Sequence, residues 1–282
     1  MIGVTGANGY VGGRIIAHLR ASGLDAIALV RRPPPGDLLA RRYALGEPLE
    51  RSLLDGIETV LHAAYDASAQ GPEIRARNVT GSLPLLEGLH ERGGRMLLLS
   101  SMSAFEGTRS QYGRTKLELE RAVLERDGIV LRPGLVFGAG AGGLFGAMVG
   151  ALSRRALVPM IGGGYQRLFV THDERLAELV FALIAGVAEA TGPIFAAHES
   201  PTTLRAIAEQ IARAGGHRLV VVPLPPALVA LGLRSAEIAG IPLPFRSDSL
   251  RSLLHPVELD QVASLARWPI AFPGLEPELW LS

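Results

Sequence analysis

Three glycines, Gly6, Gly9 and Gly12, recur at every third position of the run Thr5-Gly6-Ala7-Asn8-Gly9-Tyr10-Val11-Gly12, directly behind a short β-type segment and directly ahead of a helical one. Few architectures accept a glycine cluster at a strand-to-helix turn. Gly6 permits the tight turn, Gly9 lets the backbone approach a pyrophosphate, and Gly12 lets the helix pack closely on the sheet. The free amides at the start of that helix then favour a phosphate. Position and spacing together read as a dinucleotide turn rather than as a plain one, with Thr5, Asn8, Tyr10 and Val11 as further contacts.

The segments that follow agree with this start. Short β-type runs are expected at 2–5, 26–31, 42–45, 59–63, 96–100 and 129–132, and helices at 10–22, 70–92 and 110–127. Strands alternating with helices describe a parallel sheet covered on both faces, so the fold class is α/β, a Rossmann-type doubly wound parallel sheet with a smaller helix-rich C-terminal lobe. Beyond Gly134 the glycine-rich stretch 138–143 and the turn Gly162-Gly163-Gly164 mark an excursion from the sheet; segments 169–171 and 193–197 read as a return to it. Residues 1–135 and 169–198 are thus assigned to the dinucleotide-binding domain, and 136–168 and 199–282 to a substrate lobe. The most apolar segment, 219–233, is interrupted by Pro223, Pro225 and Pro226 and is shorter than a bilayer span, so it reads as a buried strand and helix of that lobe.

Composition removes several function classes. A net charge of +1 provides no field for nucleic acid or acidic lipid. The pairs Arg41-Arg42 and Arg154-Arg155 read as solvated corners without interleaved aromatics. There are no cysteines, which excludes disulfides and thiolate catalysis, and the seven histidines show no metal-ligand spacing. The N-terminal run has no basic stretch followed by a long apolar one, so a cytoplasmic location is expected, with neither membrane nor nucleic acid as partner.

The second strand is expected to end in Val30-Arg31-Arg32. A carboxylate at this point would bond the ribose hydroxyls of NAD(H) and repel a 2′-phosphate, whereas a guanidinium grips that phosphate in a bidentate manner. NADP(H) is therefore favoured over NAD(H), through Arg31 and Arg32. The alternative is that both arginines are solvated loop residues.

Of the 28 basic residues only Lys116 is a lysine, and it stands four positions after Tyr112 in Tyr112-Gly113-Arg114-Thr115-Lys116. That spacing puts both side chains on one helical face. A phenol titrating near 10 needs a nearby cation to exchange protons near neutrality, and an ammonium can supply this while holding a ribose.

The glycine run, the Tyr112/Lys116 pair and their order along the chain resemble the extended short-chain dehydrogenase/reductase family of epimerases, dehydratases and ketoreductases. Also similar are His62-Ala63-Ala64, Asn78-Val79-Thr80-Gly81, Ser100-Ser101, Arg132-Pro133-Gly134 and Val170-Thr171-His172-Asp173. The resemblance implies that Ala63 and Ala64 line the cofactor through their backbone, that Asn78 supports the site, and that Pro133 and Gly134 border the nicotinamide. It also implies a third catalytic hydroxyl after the fifth strand. A gapless count back from Gly107 puts Met102 there, one extra residue puts Ser101 there, and Ser103 is a possible substitute; Ser101 is preferred. Glu47 stands where the family has an acid facing the adenine. Because Met102-Ser103 replaces the acidic pair of sugar dehydratases, dehydration is disfavoured. The expected activity is reversible reduction of a ketone on a small-molecule substrate, the alternatives being a nucleotide-sugar epimerase and a non-catalytic NADP sensor. Segments 222–233 and 245–249 are expected to shape the pocket, and the apolar positions of 110–127 allow a homodimer.

Overall fold

A computed structural model describes residues 1–69, 71–152, 157–186, 192–238, 247–268 and 270–281. The elements in chain order are β1 (Ile2–Thr5), α1 (Tyr10–Ala21), β2 (Ala26–Val30), β3 (Ala40–Arg42), β4 (Thr59–His62), α2 (Pro72–Arg75), α3 (Leu83–His90), β5 (Arg95–Leu99), α4 (Gln111–Leu124), β6 (Ile129–Pro133), β7 (Leu135–Phe137), α5 (Gly143–Leu152), β8 (Leu157–Ile161), β9 (Arg167–Leu168), β10 (Val170–His172), α6 (Asp173–Ile184), β11 (Ile194–Ala196), β12 (Thr202–Thr203), α7 (Leu204–Ala214), β13 (Val220–Leu224), α8 (Pro226–Ile238), α9 (Ser247–Leu254) and α10 (Leu259–Ala263).

Seven parallel strands form the central sheet in the order β11-β6-β5-β4-β1-β2-β3. The strands read as continuous apolar runs because helices bury both faces. On one face Ile15 and Leu19 of α1 and Leu176 and Val180 of α6 pack with Val4, Leu97 and Leu131. On the other, Leu85 and Leu89 of α3 and Leu119 and Val123 of α4 pack with Leu29, Val60, Leu98 and Val130. The strand order reverses between β1 and β4, and a crevice at such a point is where open α/β sheets bind ligands. The glycine turn follows β1 into that crevice.

Several expectations need correction. The third strand lies at Ala40–Arg42 rather than 42–45. Arg41 donates to the carbonyls of Leu53 and Asp55, fixing this edge strand earlier in the chain. The continuous helix expected over 70–92 is broken: α2 gives way to a π-helical stretch, Ala76–Thr80, before α3 begins, and Gln70 lies outside the described residues. Pro84 at the start of α3 has no N–H to continue the ladder, and Ser82 Oγ bonds back to the Asn78 carbonyl.

Only part of the predicted return joins the sheet. β11 pairs with β6, but β10 pairs with β7 in a separate two-stranded sheet. The chain leaves the sheet at Gly134, where a Cβ would strike the Phe169 carbonyl. Segment 219–233 does give a strand and a helix, but not buried ones: Val220 is 55% exposed and Leu228 and Leu231 are each 64% exposed. β13 pairs only with β8, so no sheet extends over it among the described residues. No described helix is long and apolar enough to cross a membrane.

Candidate active site

At the cofactor end, Gly6 adopts φ +68° and a Cβ on Gly12 would strike the Gly6 carbonyl, so both positions require glycine. Gly9 caps α1 with no side-chain hydrogen bond, leaving first-turn amides of that helix for an anion. The residues therefore fit a dinucleotide. Thr5 Oγ1 accepts from the amides of Ala63 and Ala64, both at 3.1 Å, and stands 3.0 Å from His62 Nδ1. These two amides are thus committed to Thr5, and the carbonyls are what Ala63 and Ala64 retain.

His62 Nε2 lies 3.0 Å from Ser82 Oγ, whose proton goes to the Asn78 carbonyl at 2.9 Å. Every group is satisfied when Thr5 donates to Nδ1 and Nε2–H donates to Ser82. Burial, reinforced by Lys116, lowers His62 to about 3, so the ring is a neutral link. The Asn78 side chain holds the loop after β4, accepting from Asp66 N at 2.6 Å and donating to the carbonyls of Asp66 and Ile74.

Tyr10, next to the glycine run, donates to Asp173 Oδ2 at 2.7 Å, and Arg14 Nε lies 3.2 Å from the same oxygen. Asp173 is buried at the start of α6, so it clamps α1 to α6. Burial and the Asp173 bond push the Tyr10 phenol well above its usual range. Asn8 is exposed and Val11 half-buried on either side of this tyrosine.

Arg31 and Arg32 are exposed at the end of β2 and have no ion-pair partner among the described residues. Glu47 is held by Arg42 at 2.5 Å, so its carboxylate is already engaged by a cation. Of the basic pairs, Arg41 is hydrogen-bonded rather than simply solvated, and Arg154-Arg155 lies outside the described residues.

At the catalytic end, α4 presents Tyr112 and Lys116 on one side. Lys116 is 4% exposed; its Nζ donates to the Leu99 carbonyl at 2.8 Å and lies 5.3 Å from the centre of the Tyr65 ring. Tyr65 meets Tyr112 edge-on with centroids 4.9 Å apart. Burial raises the Tyr112 phenol to about 12, and the hydrogen-bonding Ser101 hydroxyl is what pulls it back down. The group that opposes this rise is thus Ser101 rather than the expected Lys116, whose ammonium donates to the Leu99 carbonyl.

The two candidates for the third position differ in what they meet. Ser101 meets the phenol, while Met102 is tied by its amide to the Pro133 carbonyl at 2.9 Å and lines the cavity. Ser103 also lines the cavity and donates its amide to Ser101 Oγ at 3.1 Å. Gly134 borders the same space, its amide donating to Thr171 Oγ1 at 2.8 Å.

The cavity beside Tyr112 has a volume of about 930 Å³. Its walls include Met102, Phe105, Met148, Met160, Phe169 and Leu253, and Arg167 is the one charged lining residue among those described. Of the segments expected to shape it, Leu224, Val229 and Ser249 do line it, whereas Phe245 and Arg246 lie outside the described residues. Tyr65, Asp173 and Asp248 are site-forming residues whose roles the sequence reading did not identify. Asp173 stood in a matching segment, and Tyr65 directly follows Ala63-Ala64. No group of three or more His, Cys, Asp or Glu residues that could hold a metal occurs among the described residues.

The model of the NAD dependent epimerase/dehydratase family matches residues 2–195. The chain belongs to this family. It is accordingly an NAD(P)-dependent enzyme of the kind that acts on CH–OH groups. A ceramide reductase of Caulobacter vibrioides is 28% identical over 272 residues, covering 90% of this chain and 84% of that protein. Among solved structures, MoeE5 in complex with UDP-glucose and NAD is 25% identical with a TM-score of 0.68, covering 79% of this chain and 85% of that one. The UDP-glucose 4-epimerase of Thermotoga maritima shares the fold at 18% identity, with a TM-score of 0.65 and the same coverage.

Proposed function

We propose that this protein is an NADP(H)-dependent reductase that converts a ketone on a large apolar substrate into a secondary alcohol. The observation that carries the reading is the cavity of about 930 Å³ beside Tyr112, with many apolar walls and a single lining cation, Arg167, among the described residues. A nucleotide sugar brings a diphosphate, which calls for several cations or charged hydrogen bonds; an aliphatic substrate needs apolar area. Similarity to a ceramide reductase supports reduction of this kind.

The nicotinamide, when bound, supplies the hydride. Tyr112 donates its proton to the carbonyl oxygen as general acid, and Ser101 hydrogen-bonds that oxygen as charge develops on it. A phenol raised to about 12 is protonated at neutral pH and so begins the cycle in the state reduction requires. Lys116 holds the nicotinamide ribose. The turn Thr5 to Gly12 takes the pyrophosphate, and Arg31 with Arg32 takes the 2′-phosphate, while Pro133 and Gly134 border the nicotinamide. Among the described residues, the proposed substrate lobe, 136–168 with 199–282, supplies most of the cavity lining, and Met102, Phe105, Tyr112 and Phe169 are among those that complete it from the dinucleotide-binding domain.

The test is incubation with a long-chain ketone and NADPH deuterated on the transferable face of C4. The reading requires deuterium on the product carbinol carbon in a one-to-one ratio with cofactor consumed. The second reading is epimerisation, favoured by MoeE5, whose structure holds UDP-glucose and NAD. It requires inversion of a UDP-sugar with no net loss of cofactor.

A further inference from the structure

α9 brings two properties to the same place. Ser249, Ser252 and Leu253 line the cavity. Asp248, on the same helix, reaches α4: Oδ1 accepts from the Gln111 amide at 2.7 Å and Oδ2 from the Tyr112 amide at 2.9 Å. These are the first two amides of α4, and the third, Gly113 N, goes to Ser110 Oγ at 3.0 Å. The amides that a helix start leaves without intrahelical partners are thus satisfied by two sources. One is local; the other comes from a residue 137 positions from Gln111.

The placement bears directly on the proton donor. One of the two amides belongs to Tyr112 itself, and a carboxylate accepting at the positive end of a helix makes a strong, charge-assisted bond. On its other side this helix start is wedged against the serine loop, since a Cβ on Gly113 would strike the Ser103 carbonyl. Ser101 belongs to the same loop, so the proton donor and its hydroxyl partner are held between that loop and α9. Asp248 is itself steadied by Arg251 Nη1, 3.9 Å from Oδ1.

We infer that Asp248 is a positioning residue: it fixes the Tyr112 end of the catalytic helix from the pocket wall, so that proton donor and substrate cavity are assembled by one contact. The inference rests on Tyr112 being the proton donor proposed above. It predicts that the contact acts on turnover and leaves the affinity for NADPH, which the glycine turn after β1 and the end of β2 would provide, unchanged.

The experiment compares Asp248→Ala and Asp248→Asn with wild type in steady-state reduction of a long-chain ketone, in NADPH binding, and by NMR of protein labelled at tyrosine Cζ. The Tyr112 resonance is assigned with Tyr112→Phe. The expected result is a kcat lowered by about 10- to 100-fold in Asp248→Ala, a smaller loss in Asp248→Asn because its carbonyl oxygen keeps one bond, and NADPH affinity within twofold of wild type. The Tyr112 resonance moves while those of Tyr10 and Tyr43 stay in place. A purely structural role would reduce melting temperature and active fraction without moving the Tyr112 resonance of the folded protein, and that result overturns the inference, as does a kcat within twofold in Asp248→Ala. Should wild type reduce no ketone, the function reading fails, and the resonance alone decides Asp248: movement supports it and an unmoved signal overturns it.

Discussion

Tyr65 stands edge-on to Tyr112 at 4.9 Å between ring centroids and offers its face to the Lys116 ammonium at 5.3 Å, so a single aromatic ring contacts both members of the proposed catalytic pair. An edge-to-face pair contributes about 0.5–1.5 kcal/mol and a desolvated cation–π contact up to about 2 kcal/mol. Tyr65→Ala should therefore lower kcat by about 5- to 30-fold, while Tyr65→Phe, which keeps the ring, should remain within about threefold. Steady-state kinetics of the two variants checks the claim. Equal losses in both would assign the effect to the hydroxyl instead.

Lys116 gives a pH signature in stability. Burial lowers it from the usual 10.5 to about 8, with Glu120 pulling the other way. Its folded value is below its unfolded one, so between about 8 and 10.5 the unfolded chain binds more protons and this group's contribution to stability rises with pH. Below about 8 the cost of holding a buried ammonium is fully present. Lys116→Met should melt higher than wild type at pH 7, the advantage fading as pH rises through that window. A lower melting temperature at pH 7 would mean that the bond to the Leu99 carbonyl outweighs burial.

Glu120 of α4 is 1% exposed and paired with Arg132 of β6 at 2.6 Å, with Ser100 also donating to it. Removing one partner leaves the other as a buried charge. Glu120→Ala should cost about 3–5 kcal/mol of unfolding free energy in denaturant titration, and a loss below 1 kcal/mol would show that water reaches Arg132.

Much of this arrangement is legible in the sequence, for identifiable reasons. The glycine turn and the Tyr112/Lys116 spacing are local, so their geometry follows from backbone sterics and helix pitch. The central strands read correctly because both sheet faces are buried and leave unbroken apolar runs. Contacts between distant positions are not legible: Asp173 meets Tyr10 across 163 positions, and Asp248 meets Gln111 across 137. The helix expected over 70–92 hid its π-helical stretch, since apolar spacing continues through it while Ser82 and Pro84 disturb the backbone. Segment 219–233 misled because apolar composition reports a tendency to be covered, and at Leu228 and Leu231 nothing among the described residues covers it.

The proposed preference for NADP(H) is tested at the end of β2. Arg31→Asp replaces a free guanidinium with a carboxylate at the expected 2′-phosphate position. Charged hydrogen bonds contribute about 1.5–3 kcal/mol, so NADPH affinity should fall about 10- to 100-fold while NADH affinity holds or improves. Calorimetric titration reads both. A parallel loss for both nucleotides would move the 2′-phosphate away from Arg31.

The cavity can be narrowed independently of the chemistry. Ala147 on α5 lines it, and Ala147→Trp should raise KM for long-chain ketones at least tenfold while leaving NADPH affinity unchanged. An unchanged KM would place the substrate elsewhere.

The most direct measurement is NADPH oxidation by the wild-type protein across a series of ketones of increasing alkyl length, with UDP-sugars in parallel. Each methylene buried contributes about 0.8 kcal/mol, so kcat/KM should climb about fourfold per methylene until the cavity is full, and Tyr112→Phe should abolish turnover without weakening NADPH binding. A flat series, or inversion of a UDP-sugar without cofactor consumption, would contradict the account.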